Sequence, residues 1–416
     1  MSVLAAFVLV AIYVWTLYSL PSLLTGLIHS LRQTHEESSP AATGKQPFVS
    51  VVVPAKNEEK VIGRLLETCL RIDYPPDRFE IVVVEDGSTD RTQRICESYA
   101  KKYPGKIRFF HRSESNGKPS SLNFALQHSQ GEIVGIFDAD SVLEPSAVRR
   151  AVAFLREPSA VAVQGMARSL NSRLNFLTRL ISYEEQTWQN VYIAGKSALR
   201  LFVPFTGSCL FVKRSVLQAI GGWDEGSIAE DVELAARLLR FGYIVRYAPS
   251  VVAYQESPSE LSQFFNQRTR WFRGYMETAI KYGVLLLKPS LVNFDAEMTM
   301  TGSFMMTVSL IGYLIGLYSF LDASRFSGGV FALLGWSASC FTVVVLTALA
   351  IAAVALQKPR RLRNLLWIPL IYGYWFFQAV IASRAFIQIV LGRPRIWSKT
   401  SKSGITTPEV AHEVHS

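Results

Sequence analysis

Asp138 and Asp140 stand one residue apart at the end of an apolar run, residues 133–137, that reads as a buried strand. Two carboxylates so spaced, where a strand opens into a loop, can converge on one divalent cation. Hard cations such as Mg²⁺ and Mn²⁺ take oxygen ligands and commonly bridge carboxylates to a substrate diphosphate. A merely acidic loop would show the same three residues. Two more acidic clusters, Glu58 and Glu85–Asp86, each follow an apolar run, and Glu230, Asp231 and Glu233 open a helical pattern. The helix macrodipole alone would favour that last cluster.

The elements that must position these groups follow from periodicity. Residues 48–53, closed by Pro54, then 81–84, 107–110 and 133–137 read as strands. Between them, helical spacing recurs at Val61, Leu65, Leu66 and Leu70, at Ile95 and Tyr99, and at Leu122, Ala125 and Leu126. Such alternation predicts an α/β fold with an open, mostly parallel sheet. Ligands in such sheets bind beyond the carboxyl ends of the strands, and Glu58, Glu85/Asp86 and Asp138/Asp140 all fall at that edge. Further on come a strand at 161–165, a helical stretch at 174–192 with no settled place, a turn into a short strand at 206–211, and a helix at 229–241 ended by Gly242.

Charged residues are 18% of the 416, against about a quarter in soluble proteins. The net charge of +10 comes with no zinc-finger spacing and no basic zipper, so anionic lipid or an anionic substrate explains it better than nucleic acid. Cys69, Cys96, Cys209 and Cys340 are scattered, which predicts neither a disulfide framework nor a structural zinc. Residues 3–28 are almost uninterruptedly apolar, long enough to span a bilayer, and no Lys or Arg precedes Arg32, which favours a membrane helix over a signal peptide. Residues 261–287 interleave aromatics with Arg268, Arg270, Arg273 and Lys281, a composition that suits a helix at a membrane surface. Three apolar segments follow, near 299–321, 330–356 and 365–391; Lys358, Arg360, Arg361 and Arg363 between the last two place that loop and the globular domain in the cytoplasm. Three crossings would put the basic tail outside; a break at Pro369 would return it inside. Arg384 should face protein or water.

Together these residues resemble a membrane-integrated family 2 glycosyltransferase, with the processive cellulose, chitin-oligosaccharide, hyaluronan and poly-N-acetylglucosamine synthases as the nearest comparison. Gln267-Arg268-Thr269-Arg270-Trp271 fits the family's Q-x-x-R-W signature and lies where the family has it, just before the membrane segments. The resemblance runs from Phe48 to about Ser403. It implies a GT-A-like nucleotide-sugar-binding domain at 48–258, after a membrane helix (1–31) and a linker (32–47). Interface helices follow at 259–292, about three membrane helices at 293–392 and a polar tail at 393–416.

The resemblance also implies roles. Pro54, Ala55, Asn57, Glu58 and Asp86 (or Glu85) resemble the loops that hold the uridine of a UDP-sugar, and Lys118 the basic residue near that nucleotide. Asp138 and Asp140 resemble ligands of Mg²⁺ or Mn²⁺, Asp231, beside Glu230, the general base, and Gln267, Arg268, Arg270 and Trp271 the group lining diphosphate and acceptor. Residues 206–209 fall where the acceptor is lined. Ala229 replaces the Thr that often precedes Glu-Asp, and Glu85 replaces the first Asp of Asp-Asp-Gly. The expected activity is inverting, metal-dependent transfer from a UDP-sugar to a growing β-linked polysaccharide, in contact with membrane lipids. An accessory subunit could carry the product onward. The nearest rival is a single addition to a membrane lipid, as in ceramide glucosyltransferase. A sensor on a degenerate fold would need no base, and a channel would not need so large a soluble domain.

Overall fold

A computed structural model of the chain describes residues 3–32, 46–157, 159–321, 330–356, 362–395 and 399–405. Most of the expected linker, the basic residues Lys358, Arg360 and Arg361, and the tail beyond Ile405 lie outside the described residues.

The chain runs α1 (Val3–Arg32), β1 (Val49–Ala55), α2 (Ile62–Leu70), β2 (Phe79–Asp86), α3 (Thr92–Lys102), β3 (Ile107–Arg112), α4 (Lys118–His128), β4 (Ile133–Ile136), β5 (Val142–Leu143), α5 (Ala147–Leu155) and β6 (Ala162–Ser169). It continues through α6 (Phe176–Thr187), a π-helix (Trp188–Ile193), α7 (Ala194–Ala198), β7 (Leu210–Lys213), α8 (Arg214–Ala219), α9 (Glu230–Arg240), β8 (Val245–Gln255) and α10 (Leu261–Tyr282). The last three helices are α11 (Leu291–Leu321), α12 (Val330–Ala355) and α13 (Ile368–Val390).

One eight-stranded sheet has the order β3-β2-β1-β4-β7-β6-β8-β5. The first four strands are parallel, as the alternation of strands and helices predicts; β7 then enters antiparallel to both β4 and β6. Strand periodicity sorts the core into two layers. Val51 and Val53 face the layer of α2, whose Ile62, Leu65, Leu66 and Cys69 are buried there, while Val52, Val82 and Val84 face the layer with Leu122 of α4 and Leu234 of α9. Pro54 does not end β1, which runs one residue further. Beyond Val52 the strand has no pairing with β4, so a proline without an N–H costs no ladder bond there.

Three helical stretches are long and apolar enough to cross a membrane, Ala5–Leu31, Leu291–Tyr318 and Leu362–Val390, with a shorter one at Ser339–Ala355. α1 meets the π-helix and α7 backbone to backbone: a Cβ on Gly195 would lie 1.8 Å from the Ser22 carbonyl oxygen, and one on Gly26 1.7 Å from that of Val191. The seam with α11 holds a fully buried ion pair. Lys196 Nζ donates to Asp295 Oδ1 at 2.5 Å and to Thr299 Oγ1 at 2.7 Å, and the Phe202 N–H donates to Asp295 Oδ2.

α13 runs beside α10 in the same direction. Phe264 packs on Tyr374 and Phe377, Met276 on Ala382 and Ala385, and Arg273 donates to the carbonyls of Arg393 and Pro394. Pro369 sits in the first turn of α13, where its missing N–H costs nothing, and so opens the helix rather than breaking it. The Arg384 side chain lies over the ring of Phe265 on α10, 4.7 Å from its centroid.

Candidate active site

A chamber of about 1070 Å³ opens beyond the carboxyl ends of β1, β2 and β4 and continues between α1, α11, α12 and α13. Its domain end is lined by Pro54, Ala55, Glu58, Asp86, Lys118, Asp138 and Asp140, its middle by Glu230, Asp231, Gln267, Arg268, Arg270 and Trp271. Residues almost 220 apart in sequence thus share one space.

Lys118, in the first turn of α4, joins two of the acidic clusters. Its Nζ lies 2.7 Å from Asp138 Oδ1 and 3.0 Å from Glu230 Oε1, and it donates to the Gly207 carbonyl at 2.9 Å. It sits between Asp138 and the start of α9. Burial pushes the Asp138 carboxyl up, against the pull of Lys118. Asp140 goes the other way. Burial opposes its ionisation, but Lys402 Nζ at 2.7 Å and the Glu256 N–H at 2.9 Å hold its carboxyl below the usual range. Each aspartate therefore already carries an ammonium group, which marks the loop as a place that demands positive charge. Two carboxylates with open oxygen valences beside a diphosphate-sized space fit a hard divalent cation. No set of three or more ligating side chains gathers among the described residues, so the remaining ligands would come from substrate or water.

Glu230 and Asp231 occupy the first turn of α9. Burial raises the Asp231 carboxyl, the Glu230 charge raises it further, and Lys118 and Arg270 pull it down, leaving it at about 7. Burial opposes the ionisation of Glu230 as well, but Lys118 and Arg270 overcome it and hold that carboxyl below its usual range. The two neighbouring carboxyls are thus pushed apart, Glu230 toward the anion and Asp231 toward the protonated form. Gly207, at φ +80°, brings the 206–208 loop against this pair: a Cβ there would lie 3.2 Å from Asp231 Oδ2. Ala229, the departure noted in the sequence, is where α10 comes closest, since a Cβ on Gly274 would lie 2.3 Å from Ala229 Cβ.

On α10, Gln267 Nε2 donates to Thr400 Oγ1 at 3.3 Å and Arg270 Nη1 to the Ile228 carbonyl at 3.3 Å. Arg268 is buried. It is 2.5 Å from Glu184 Oε2, and its guanidinium stacks 4.3 Å from the Trp271 ring centroid. That contact fixes the plane of the tryptophan, whose side chain lines the chamber.

Two expected site residues do not reach the chamber. Glu85 is fully buried on the far side of β2, where it accepts from the Ser88 N–H and pairs with His111 Nδ1 at 2.6 Å. Asn57, at φ 54°, is a turn residue: its Oδ1 accepts from the Thr89 N–H at 2.8 Å and its own N–H donates to Ser88 Oγ. Three residues not expected at the site do reach it. Lys399 pairs with Glu58 Oε1 at 3.0 Å, Lys402 holds Asp140, and Glu256 ties the tail by accepting from Ser403 and Gly404. The basic composition of the tail signals the two lysines, where it reads as membrane charge, and nothing local signals Glu256.

A family model described as "Glycosyltransferase like family 2" matches residues 46–274. The chain is 35% identical over 240 residues to a probable glycosyltransferase, YdaM, of Bacillus subtilis (strain 168), which covers 57% of each protein. It is 33% identical over 283 residues to a beta-monoglucosyldiacylglycerol synthase of Synechocystis, covering 64% of this chain and 57% of that protein. The chain thus spans a little over half the length of these relatives. Over 370 residues it is 22% identical to a poly-beta-1,6-N-acetyl-D-glucosamine synthase of Staphylococcus epidermidis, covering 86% of this chain and 88% of that protein. Among solved structures, the mannosyltransferase PcManGT from Pyrobaculum calidifontis, in complex with GDP-Man and Mn²⁺, superposes with a TM-score of 0.63 at 22% identity, over 93% of this chain and all of that one. The fold is GT-A-like, and it carries three helices long and apolar enough to cross a membrane among the described residues.

Proposed function

The chain belongs to the family 2 glycosyltransferases, and from that premise we propose that it transfers a sugar, with inversion, from a UDP-sugar to a hydroxyl that enters from the membrane end of the chamber. The observation that carries this reading is Asp231. It opens on the same space as Lys118, Asp138 and Arg270, and burial beside the Glu230 charge pushes its carboxyl up to about 7.

In this reading Asp86 and the β1 loop hold the uridine, and Lys118 and Arg270 meet the diphosphate. Asp138 and Asp140 would hold a Mg²⁺ or Mn²⁺ ion, which supplies a Lewis acid for the charge that builds on the leaving diphosphate. Asp231 takes the acceptor hydroxyl's proton as its oxygen bonds to the anomeric carbon. The bond to the UDP oxygen breaks on the opposite face, so an α-linked donor gives a β-linked product. Lys118 and Arg270 stabilise the charge developing on UDP.

Two acceptors compete, and the chamber favours one. Its membrane part is lined by side chains such as Leu9, Ile12, Met305, Leu346 and Trp375, with no Asp, Glu, Lys or Arg among the described lining residues of α1, α11, α12 and α13. Such a lining suits a hydrocarbon chain better than a hydrated glycan, which supports the lipid-acceptor reading. The polysaccharide reading draws its support from the near full-length match to the poly-N-acetylglucosamine synthase. In both, the catalytic domain is proposed to face the cytoplasm, where nucleotide sugars are supplied.

Purified protein in lipid vesicles, given Mg²⁺ or Mn²⁺ and a panel of labelled UDP-sugars with and without lipid alcohols, tests both. A single glycolipid supports the lipid reading, a ladder of oligomers the polymer reading. Absence of both transfer and UDP release from every donor overturns the catalytic assignment.

A further inference from the structure

The wall that links the domain half of the chamber to its membrane half has no role in the reaction just described. It is the end of α6 and the π-helix that follows, and Glu185, Trp188 and Tyr192 open onto the chamber from it. A π-turn shifts side chains off the regular helical register and is found mostly at functional sites. This one is pinned on its other face. Gln189 turns inward to β6, where Nε2 donates to the Ala167 carbonyl at 2.6 Å and Oε1 accepts from the Ala167 N–H at 3.0 Å. Trp188 and Tyr192 are left side by side, ring centroids 4.8 Å apart. Tyr275 stands within electrostatic reach of both Tyr192 and Asp231, so the wall continues to the proposed base.

The two carboxylates on this wall differ. Glu184 is engaged on both oxygens: Arg268 and Tyr374 donate to Oε2 at 2.5 and 2.6 Å, and Gln378 donates to Oε1 at 3.0 Å. Glu185 accepts one hydrogen bond among the described residues, from Ser257 Oγ at 3.2 Å. A carboxylate has about four lone-pair sites, so capacity remains on a group that faces the chamber. A carboxylate beside two aromatic rings is the chemistry that holds a polyol: the anion accepts from hydroxyls while ring faces cover the C–H surface. A plain alkyl alcohol would bring no further donor to Glu185, leaving its remaining accepting capacity unmet.

We propose that Glu185, Trp188 and Tyr192 bind a sugar or polyol head that the acceptor already carries, with Glu185 accepting from a hydroxyl that does not react. The inference rests on the glycosyl-transfer reading above and narrows it. The acceptor is an amphiphile with a polyhydroxyl head and its chain in the apolar half of the chamber. The reaction that supplies it is one that attaches a sugar or polyol to a lipid.

The test uses the full chain in phosphatidylcholine–phosphatidylglycerol nanodiscs, the UDP-sugar that it hydrolyses fastest, and two acceptors of equal chain length, dodecyl β-D-glucoside and 1-dodecanol. The wild type should use the glucoside at least about tenfold better in kcat/KM. Glu185→Gln should raise KM for the glucoside about tenfold, the scale of one hydrogen bond to a charged group, with dodecanol transfer and acceptor-free donor hydrolysis unchanged. Trp188→Leu should move the same parameter, and it carries the comparison if Glu185→Gln loses hydrolysis. Equal use of both alcohols by the wild type, an equal effect of Glu185→Gln on both, or loss of hydrolysis in both variants overturns the inference while the catalytic reading stands. A wild type that neither hydrolyses nor transfers overturns that reading, and the inference falls with it.

Discussion

Lys402 Nζ lies 2.7 Å from Asp140 Oδ2, a residue of the tail set on the carboxylate proposed to hold a metal. The two cations compete for one anion. Lys402→Met should therefore lower the Mn²⁺ concentration needed for half-maximal UDP binding, by about tenfold, because the buried carboxylate is left seeking a partner. Titration calorimetry with Mn²⁺ and UDP checks this. An unchanged or higher requirement would show that Lys402 does not compete.

Asp231→Asn keeps the shape of the site and removes the proton acceptor. Transfer should fall about 10²- to 10⁴-fold, the usual worth of a positioned base, while UDP affinity changes little. Full turnover in this variant would remove Asp231 from the mechanism.

The raised Asp231 carboxyl, at about 7, sets an acid limb. A base must be ionised, so kcat/KM for the acceptor should rise as pH increases through that value and level off above it. The stability contribution has the opposite sign. The folded state holds this proton more tightly than the unfolded chain, so the contribution is complete below the ordinary Asp value and is lost as pH rises toward 7. A pH–rate profile beside thermal melts separates the two. A flat rate profile from pH 5 to 8 would contradict the assignment.

Glu85 and Asp86 are neighbours with separate work. Glu85→Gln weakens the bonds to Ser88 and His111 and should cost about 2 kcal/mol of stability, with donor KM changed less than about twofold. Asp86→Asn should raise donor KM about tenfold with a smaller change in melting temperature, since charge-assisted contacts to ligand are worth about 1.5–3 kcal/mol. Reversal of this pattern would place Glu85 at the nucleotide.

Gly195→Ala forces a methyl group into the Ser22 carbonyl. The clash is with backbone, which cannot swing aside, so at least about 1–3 kcal/mol of stability should be lost, as in other overpacked contacts. Thermal unfolding in detergent reads it out. An unchanged melting temperature would mean that α1 is not held at this crossing.

The parallel half of the sheet was legible because β1, β2 and β4 are β-branched runs separated by amphipathic helices. The chamber's domain end followed from where those runs stop. Of the alternatives Asp86 and Glu85, only Asp86 lines the chamber, because a strand's period of two turns Glu85 the other way. Lys399 and Lys402 left no such signal, since their partners Glu58 and Asp140 are more than 250 residues away and no local pattern joins them. The 174–192 stretch has no clear helical signal at its end because the π-turn from Trp188 breaks the 3.6-residue period.

The tail's return to Glu58 and Asp140 has a bearing on how the chain threads the bilayer. α10 is fixed to the domain at both ends, by Arg268 on Glu184 and by Tyr282 on Glu233. The chain leaves the domain after α10 and meets it again at Lys399, so the crossings made in between must be even in number. Two helices between those points, Leu291–Tyr318 and Leu362–Val390, are long and apolar enough to cross, which agrees with an even count. Whichever compartment holds the catalytic sheet holds residues 399–405 as well.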